Sequence, residues 1–485
     1  MNKSLKVKTI NGFVWSFIEN FSLQGSQFVI GVIMARFLSP SDYGLIAMLA
    51  IFLGISQIFI DGGFASALIQ KRDRTEEDFS TVYYFNIIIA FGLYGVLYFS
   101  APFIASFYTL PELTVITRFV SLNLIISAFS SVARTKLTIA VDFKTQAKVS
   151  FSSVLISAFF GIYMAVNGYG VWALIIQSII NNILNTILMF YFIRWKPLFV
   201  FSLQSFKSLF PFGSRLLTSM LISNIYTNIY SLVIGKKFSP NDLGVYSRAQ
   251  TFAQFPSSNL SVILSRVTFP ILSSISNDDE QLIRIYKKYL QLTGYVVFPM
   301  LFLIIGVAEP LIEVLLTKSW IETVLLLQIL CFGFLWDPIG GLNLNLLYVR
   351  GDANLILKLE VIKKAIAILI LIISLPFGLI YIAIGRALYS FIAVYINTHY
   401  TSKFIKFDYL SQMRIISPYF ILSLTMTIVA YFSTLLVSDP LFKLILGTTL
   451  GVSYYTLISY ILKFQPFLAI LEIVKNMTNA ENKKM

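Results

Sequence analysis

The sequence predicts an all-α, polytopic membrane protein with about fourteen transmembrane helices. Three observations predict it. Of 485 residues, 57% are apolar and 12% charged, whereas a soluble globular domain carries about 25% charged residues. Apolar stretches of low charge recur from near residue 10 to near residue 464, and a span needs about 20 such residues at ~1.5 Å each. The basic residues concentrate in every second connection between those stretches. Together these exclude a soluble enzyme, a disordered chain and a secreted disulfide scaffold. A transmembrane barrel would need short alternating segments, and none is seen.

In order, the spans are expected near 10–37, 43–69, 80–107, 112–138, 146–167, 169–193, 208–235, 242–270, 284–308, 320–349, 355–376, 378–402, 412–437 and 440–463. Turn chemistry separates them at Ser39-Pro40, Leu110-Pro111, Asn167-Gly168, Ser239-Pro240, Pro376-Phe377-Gly378 and Asp439-Pro440. No connection is long enough for a soluble domain. The basic opening, Met1 to Ile10, lacks a small-residue cleavage site after a short apolar core. It reads as the lead-in to a retained helix, not a removed signal. The tail from Pro466 to Met485 starts amphipathic and ends polar, which predicts a surface helix and then a disordered end.

Thirty-seven Lys and Arg against 23 Asp and Glu leave a net charge of +14. With a cytosolic N-terminus, 27 of the 37 fall on the cytosolic side and only five opposite: Arg36, Lys236, Lys237, Lys318 and Lys443. Arg118, Arg215, Arg248, Arg266 and Arg386 fall within spans. The positive-inside rule then places both termini in the cytosol. The excess is a topology signal with a contribution from anionic lipid headgroups, so no nucleic-acid partner is expected. One cysteine, Cys331, and one histidine, His399, cannot build a Cys/His metal cluster. No GxxxxGK[ST], HExxH or GxSxG pattern occurs. No enzyme, catalytic residue, metal or cofactor is expected.

An internal repeat organises the chain. Ser39-Pro40-Ser41-Asp42-Tyr43-Gly44 returns as Ser239-Pro240-Asn241-Asp242-Leu243-Gly244, 200 residues later. Ala101-Pro102-Phe103-Ile104 pairs with Glu309-Pro310-Leu311-Ile312 at an offset of 208, and Asp142 with Asp352 at 210. The first match joins the turn after span 1 to the turn after span 7, so both halves enter the membrane with the same orientation. This predicts two six-helix lobes related by an axis along the membrane normal: residues 1–200 (spans 1–6) and 201–408 (spans 7–12). Residues 409–464 add spans 13 and 14, and 465–485 form a cytosolic tail. Such lobes enclose a central site and rock about it.

The run from Ile30 to Gly44, and Ala67-Leu68-Ile69-Gln70-Lys71-Arg72 followed by Thr75-Glu76-Glu77-Asp78, resemble polysaccharide-export flippases of the Wzx type. These belong to the multidrug/oligosaccharidyl-lipid/polysaccharide (MOP) superfamily, and the similarity is nearest to the branch of colanic acid and teichuronic acid exporters. The sharp motifs lie in the first 80 or so residues and the repeated turn. The resemblance implies a MATE/MOP-like fold. It also implies translocation of a polyprenyl-diphosphate-linked oligosaccharide across a bacterial inner membrane by alternating access through a cationic central cavity. Membrane lipids, a proton or sodium ion, and the glycan polymerase and glycosyltransferases of the same pathway are its expected partners.

Charges inside spans cost ~2.5–3.5 kcal/mol each on insertion scales, so they tend to face a cavity or a partner. The deeper acids are Glu19, Asp61 and Asp337, candidates for ion coupling or a gate. The cations are more numerous, and a guanidinium suits phosphate oxygens. Arg215, Arg248, Arg386, Arg118 and Arg36 are therefore the candidate contacts for a diphosphate. Snorkelling to headgroups is the competing reading for Arg36, Arg215 and Arg266. Span 1 carries Ser16, Asn20, Gln24, Gln27 and Gly31 on one helical face, and span 7 carries Arg215, Ser219, Ser223, Tyr226 and Tyr230. On span 8, Arg248 and Arg266 share a face about 27 Å apart, with Asn259 between them. Asn20, Gln24, Gln27 and Asn259 are expected to line the cavity. Asp337-Pro338 with Gly340-Gly341 predicts a broken helix near the middle of span 10. A passive kink is the alternative.

Other functions remain in play. A lipid II flippase would share the span count and the cationic cavity. A multidrug cation antiporter of the superfamily would need an acidic one. A membrane glycan polymerase usually carries a large periplasmic loop, and none is present.

Overall fold

The computed structural model describes residues 22–61, 63–351, 353–405, 407–469 and 471–472. Helices follow one another along the whole of this stretch, with no strand among the described residues. They are α1 (Ser22–Ala35), α2 (Pro40–Asp61), α3 (Gly63–Gln70), α4 (Glu76–Tyr108), α5 (Leu113–Val120), α6 (Leu122–Ile139), α7 (Phe143–Val166), α8 (Val171–Ile193) and α9 (Leu203–Lys237). Then come α10 (Pro240–Ser274), α11 (Asp279–Gly306), α12 (Ala308–Leu316), α13 (Thr323–Phe334), α14 (Asp337–Arg350), α15 (Ala353–Ser374), α16 (Leu379–Ile405), α17 (Tyr409–Thr434) and α18 (Pro440–Ile461).

Among the described residues, eleven segments are long and apolar enough to cross a membrane. The pairs α2–α3, α5–α6 and α13–α14 each make one such segment. The protein is therefore a multi-pass membrane protein. The other three expected spans, 1, 8 and 11, fall on α1, α10 and α15. The start expected for span 1 lies outside the described residues. Helix α10 is 35 residues long but carries Asn241, Asp242, Arg248, Gln250, Gln254, Asn259 and Arg266. Helix α15 opens with Lys358, Glu360, Lys363 and Lys364. Apolar composition thus identifies eleven spans and does not confirm fourteen.

The chain divides into two compact units, Met1–Ser247 and Arg248–Met485. In the first, α9 packs against α2 and α3, and Phe64, Leu68, Val82, Tyr83, Val132 and Leu209 form a buried core. In the second, α11 packs along α17. Gly306 allows the close approach there, since a Cβ on it would lie 3.0 Å from the Thr427 carbonyl oxygen.

The repeat read from the sequence is also a repeat of hydrogen bonds. Ser39 N–H and Oγ–H both donate to Asp42 Oδ2, at 2.8 and 2.7 Å, and Asp42 N–H returns to Ser39 Oγ at 3.3 Å. Ser239 and Asp242 repeat this at 3.0, 2.7 and 3.1 Å. Each is a capping box, with Pro40 or Pro240 as the first helical residue, where a missing N–H costs nothing. The later offsets hold as well. Helices α7 and α15 begin at Phe143 and Ala353, 210 apart, and α4 and α12 end at Tyr108 and Leu316, 208 apart. The copies differ at one point: α4 runs unbroken through Pro102, while its counterpart is interrupted at Val307 between α11 and α12.

The two copies of the turn touch each other. A Cβ on Gly44 would overlap the Pro240 carbonyl, and a Cβ on Gly244 would overlap the Pro40 carbonyl. Both obstacles are backbone, so neither can rotate away. Gly44→Ala and Gly244→Ala are each expected to destabilise the protein by about 1–3 kcal/mol or more, as overpacking does. Gly92→Ala, with nothing within 4 Å of its Cβ position, is the matched control. Thermal unfolding of the purified variants checks this, and a wild-type melting temperature in both repeat variants contradicts it.

Candidate functional site

The most developed polar site in the second unit is built on a broken helix. Helix α13 ends at Phe334 and α14 begins at Asp337, so the break occupies Leu335 and Trp336 in the middle of the Thr323–Val349 span. Pro338 sits in the first turn of α14, where its lost N–H is an orphan anyway. A break at this depth frees carbonyls that lipid cannot satisfy. The Phe334 carbonyl accepts from Ser257 Oγ of α10 at 2.9 Å; beyond the break, within α14, the Gly340 carbonyl accepts from Asn397 Nδ2 of α16 at 3.1 Å. Trp336 fills the gap with apolar surface. Its ring stacks on Phe420 and meets Phe391 edge-on at 5.1 Å.

The break carries Asp337 to α16. Arg386 Nη2 donates to Asp337 Oδ2 at 3.2 Å, and Arg386 Nη1 donates to Ser390 Oγ. Ser390 Oγ–H donates to Asp337 Oδ1 at 2.9 Å. The guanidinium carbon also lies 5.0 Å from the Phe334 ring centre and 5.5 Å from that of Tyr389. Two expected site residues, one assigned to anion binding and one to coupling, are thus partners in one closed cluster. The side chains are 20% and 37% exposed. The pair is therefore reachable from outside the core.

The other expected residues are placed as follows. Arg118 lies over the ring of Tyr98, 4.3 Å from its centre, and donates to the Tyr98 carbonyl at 3.4 Å. Arg36 and Arg215 are exposed, and Arg248 and Arg266 are half-buried on α10. On α9, Ser219 and Ser223 are exposed along with Arg215, so the predicted polar stripe is open over those turns before Tyr230 closes it. Asn259 donates to the Phe255 carbonyl of its own helix at 2.8 Å. Gln24 and Gln27 are exposed on α1. Glu19, Asn20 and the side chain of Asp61 lie outside the described residues.

Two polar networks escaped the sequence reading. In the first unit, Asn123 of α6 donates to Ser178 Oγ and accepts from Asn182 Nδ2 of α8. Gln57 of α2 and Ser127 of α6 are bonded, and so are Arg134 Nη2 and Asn185 Oδ1, at 3.0 Å. In the second, fully buried Asn343 and Gln412 exchange two amide hydrogen bonds, at 3.1 and 3.2 Å. Thr401 donates to Asn343 Oδ1 and Tyr286 to Gln412 Oε1. The spacing Asn123, Ser127, Ser131 on one face of α6 was a usable signal. Nothing in the sequence paired Asn343 with Gln412, 69 residues away.

Residues 33–325 match the protein family described as polysaccharide biosynthesis protein. The chain belongs to that family. It is 26% identical over 357 residues to the teichuronic acid biosynthesis protein TuaB of Bacillus subtilis (strain 168), covering 73% of each chain. It is 25% identical over 401 residues to the lipopolysaccharide biosynthesis protein WzxC of Escherichia coli (strain K12), covering 81% of this chain and 80% of that one. Among solved structures, the lipid II flippase MurJ in an inward closed conformation has the same fold. The TM-score is 0.74 at 18% sequence identity, over 93% of this chain and 98% of that one. The family match includes Arg36, Arg118, Arg215, Arg248 and Asn259 but ends before Asp337 and Arg386.

Within this family member, the Asp337–Arg386 pair makes a specific demand. Removing either partner leaves the other charge alone inside a span, at a cost of roughly 2.5–3.5 kcal/mol on insertion scales. Arg386→Ala and Asp337→Ala are each expected to lower the amount of folded protein recovered from membranes. The exchange Asp337→Arg with Arg386→Asp is expected to restore much of it. Size-exclusion profiles of a fluorescent fusion give the readout, and equal recovery of all variants refutes the pairing.

Proposed function

We propose that this protein translocates a polyprenyl-diphosphate-linked oligosaccharide across a bacterial inner membrane, as a step in polysaccharide biosynthesis. The observation that carries the reading is membership of the polysaccharide biosynthesis family in a chain with a flippase fold. The side chains are consistent with such an amphiphile. Arg215, Ser219 and Ser223 expose a polar stripe on α9, a poor surface to offer lipid and a good one to offer phosphate and sugar hydroxyls. In the second unit, α11, α13, α16 and α17 line an open apolar cavity of about 720 Å³. Its α16 wall, Ala387, Leu388 and Phe391, alternates in sequence with Arg386 and Ser390. One helix thus presents a charged face beside a surface fit for an isoprenoid chain.

In this reading, both termini are cytosolic and the lobes predicted from the repeat alternate access to the substrate. Arg215, near the cytosolic end of its span, and Arg248, near the outer end of its own, are the candidate diphosphate contacts, while the polyprenyl chain stays in lipid. The Asp337–Arg386 cluster serves as a coupling element: a proton or cation that neutralises Asp337 frees Arg386 for the anionic headgroup. The charges match without any group being left bare inside the bilayer at either stage.

A deletion strain scored for lipid-linked intermediates tests the reading. Finished repeat units are expected to accumulate on the cytosolic face. Failure to make those units points to synthesis instead, and lost drug tolerance with intact glycan points to efflux. Arg248→Ala is expected to abolish surface glycan while the protein level in the membrane holds, and Arg215→Ala to reduce it strongly. Wild-type export by either variant removes that residue from the substrate path.

A further inference from the structure

The first unit holds a cavity that the transport reading leaves unassigned. It opens between the C-terminal end of α3 and the first turns of α9, with a volume of about 570 Å³, within the ~300–1,000 Å³ usual for small-molecule sites. Leu209 and Phe212 give it an apolar wall, and Gln70, Lys71, Arg72 and Ser208 give it a polar rim. Its level in the bilayer follows from its lining. The Pro40–Gln70 span ends where the rim begins, the next span starts at Glu76, and the α9 span starts at Leu203. Three span ends converge there, at the depth of lipid headgroups.

The rim is held in place by its own loop. Lys71 Nζ is fixed by the buried carboxylate of Asp78 at 2.8 Å. Arg74 Nη1 donates to the Lys71 carbonyl at 2.8 Å and to the Leu68 carbonyl at 3.3 Å, closing the end of α3. Thr75 and Asp78 form a capping box for α4. Helices α3 and α9 meet at Gly63 and Gly213, where a Cβ on Gly63 would overlap the Gly213 carbonyl. With Lys71 neutralised by Asp78, Arg72 supplies the net positive charge of the rim, and its side chain is exposed. Ser208 Oγ–H is committed to the Ser205 carbonyl at 2.8 Å, so its lone pairs remain to accept from a ligand hydroxyl.

We propose that this cavity binds the phosphate-bearing headgroup of a membrane amphiphile. Arg72 takes the phosphate through its forked donors, Gln70 and Ser208 take neighbouring hydroxyls, and the Leu209–Phe212 wall leads the first carbons into the bilayer. Two lipids carry that chemistry: a resident anionic phospholipid such as phosphatidylglycerol, and a polyprenyl diphosphate. The inference needs a membrane protein but not the translocation cycle proposed above.

Full-length protein in maltoside detergent, titrated with phosphatidylglycerol and separately with polyprenyl diphosphate, tests it by native mass spectrometry. Wild type is expected to bind at least one probe saturably. Arg72→Gln should weaken that binding at least fivefold, and Arg72→Lys by less. Ser208→Trp, which fills the cavity from an exposed position, should weaken it similarly. Tighter binding of polyprenyl diphosphate by tenfold identifies the pathway lipid as the occupant, and equal or tighter binding of phosphatidylglycerol identifies the resident one. Wild-type affinity for both probes in Arg72→Gln and Ser208→Trp, or no saturable binding by wild type, overturns the proposal. Glycan export in the deletion strain is read separately, so loss of the transport reading leaves this result standing.

Discussion

A polar group inside the hydrocarbon layer has no water to fall back on, and the arrangement of this protein follows from that constraint. Several places where the backbone or a charge departs from an apolar helix are closed by a partner from another helix. The break before Asp337 releases the Phe334 carbonyl, and Ser257 takes it. The break also exposes a carboxylate, and Arg386 and Ser390 take that. Asn343 and Gln412 satisfy each other where neither could face lipid. These contacts tie α10 to α13, and α14 to α16 and α17, by hydrogen bonds, where packing against lipid-like side chains supplies little drive of its own.

The same constraint separates stability from function. A polar group closed on a protein partner, such as Gln412, holds the fold and offers a substrate little. A polar group left open, such as Arg215 with Ser219 and Ser223 on α9, must have water, a lipid headgroup or a ligand beside it. The Asp337–Arg386–Ser390 cluster is intermediate: it is closed in this structure, yet the side chains of Arg386 and Asp337 are 20% and 37% exposed. In the transport cycle proposed above, this is the pair that exchanges one counter-charge for another.

The duplication adds a second physical theme. Copying a Ser-Pro-x-Asp turn copies a capping box, because every bond in it is local to four residues. Its hydrogen bonds agree between the copies to within a few tenths of an ångström. The copying also allows the two turns to meet face to face, Gly44 on Pro240 and Gly244 on Pro40. The glycine in each copy therefore serves the other copy, a role that neither turn shows when read alone.

Local chemistry made much of this protein legible from its residues. The helical class, the turns at Ser39-Pro40, Leu110-Pro111 and Asp439-Pro440, the repeat, and the break at Asp337-Pro338 depend on neighbours within a few positions. Residue order determines such features directly. Partnership was not legible. Arg386 and Asp337 each stood out as a charge within a span, but 49 residues separate them, and helical phase alone does not say which helices face each other. Arg118 looked like its fellow arginines until Tyr98, 20 residues earlier, was found beneath it. Ordinary amides such as Asn343 and Gln412 raised no signal, since a single amide in a span costs too little to mark it. Sequence determined where the charges and breaks occur; only tertiary packing decided which of them neutralise one another, because that depends on distances across the bundle that no local pattern encodes.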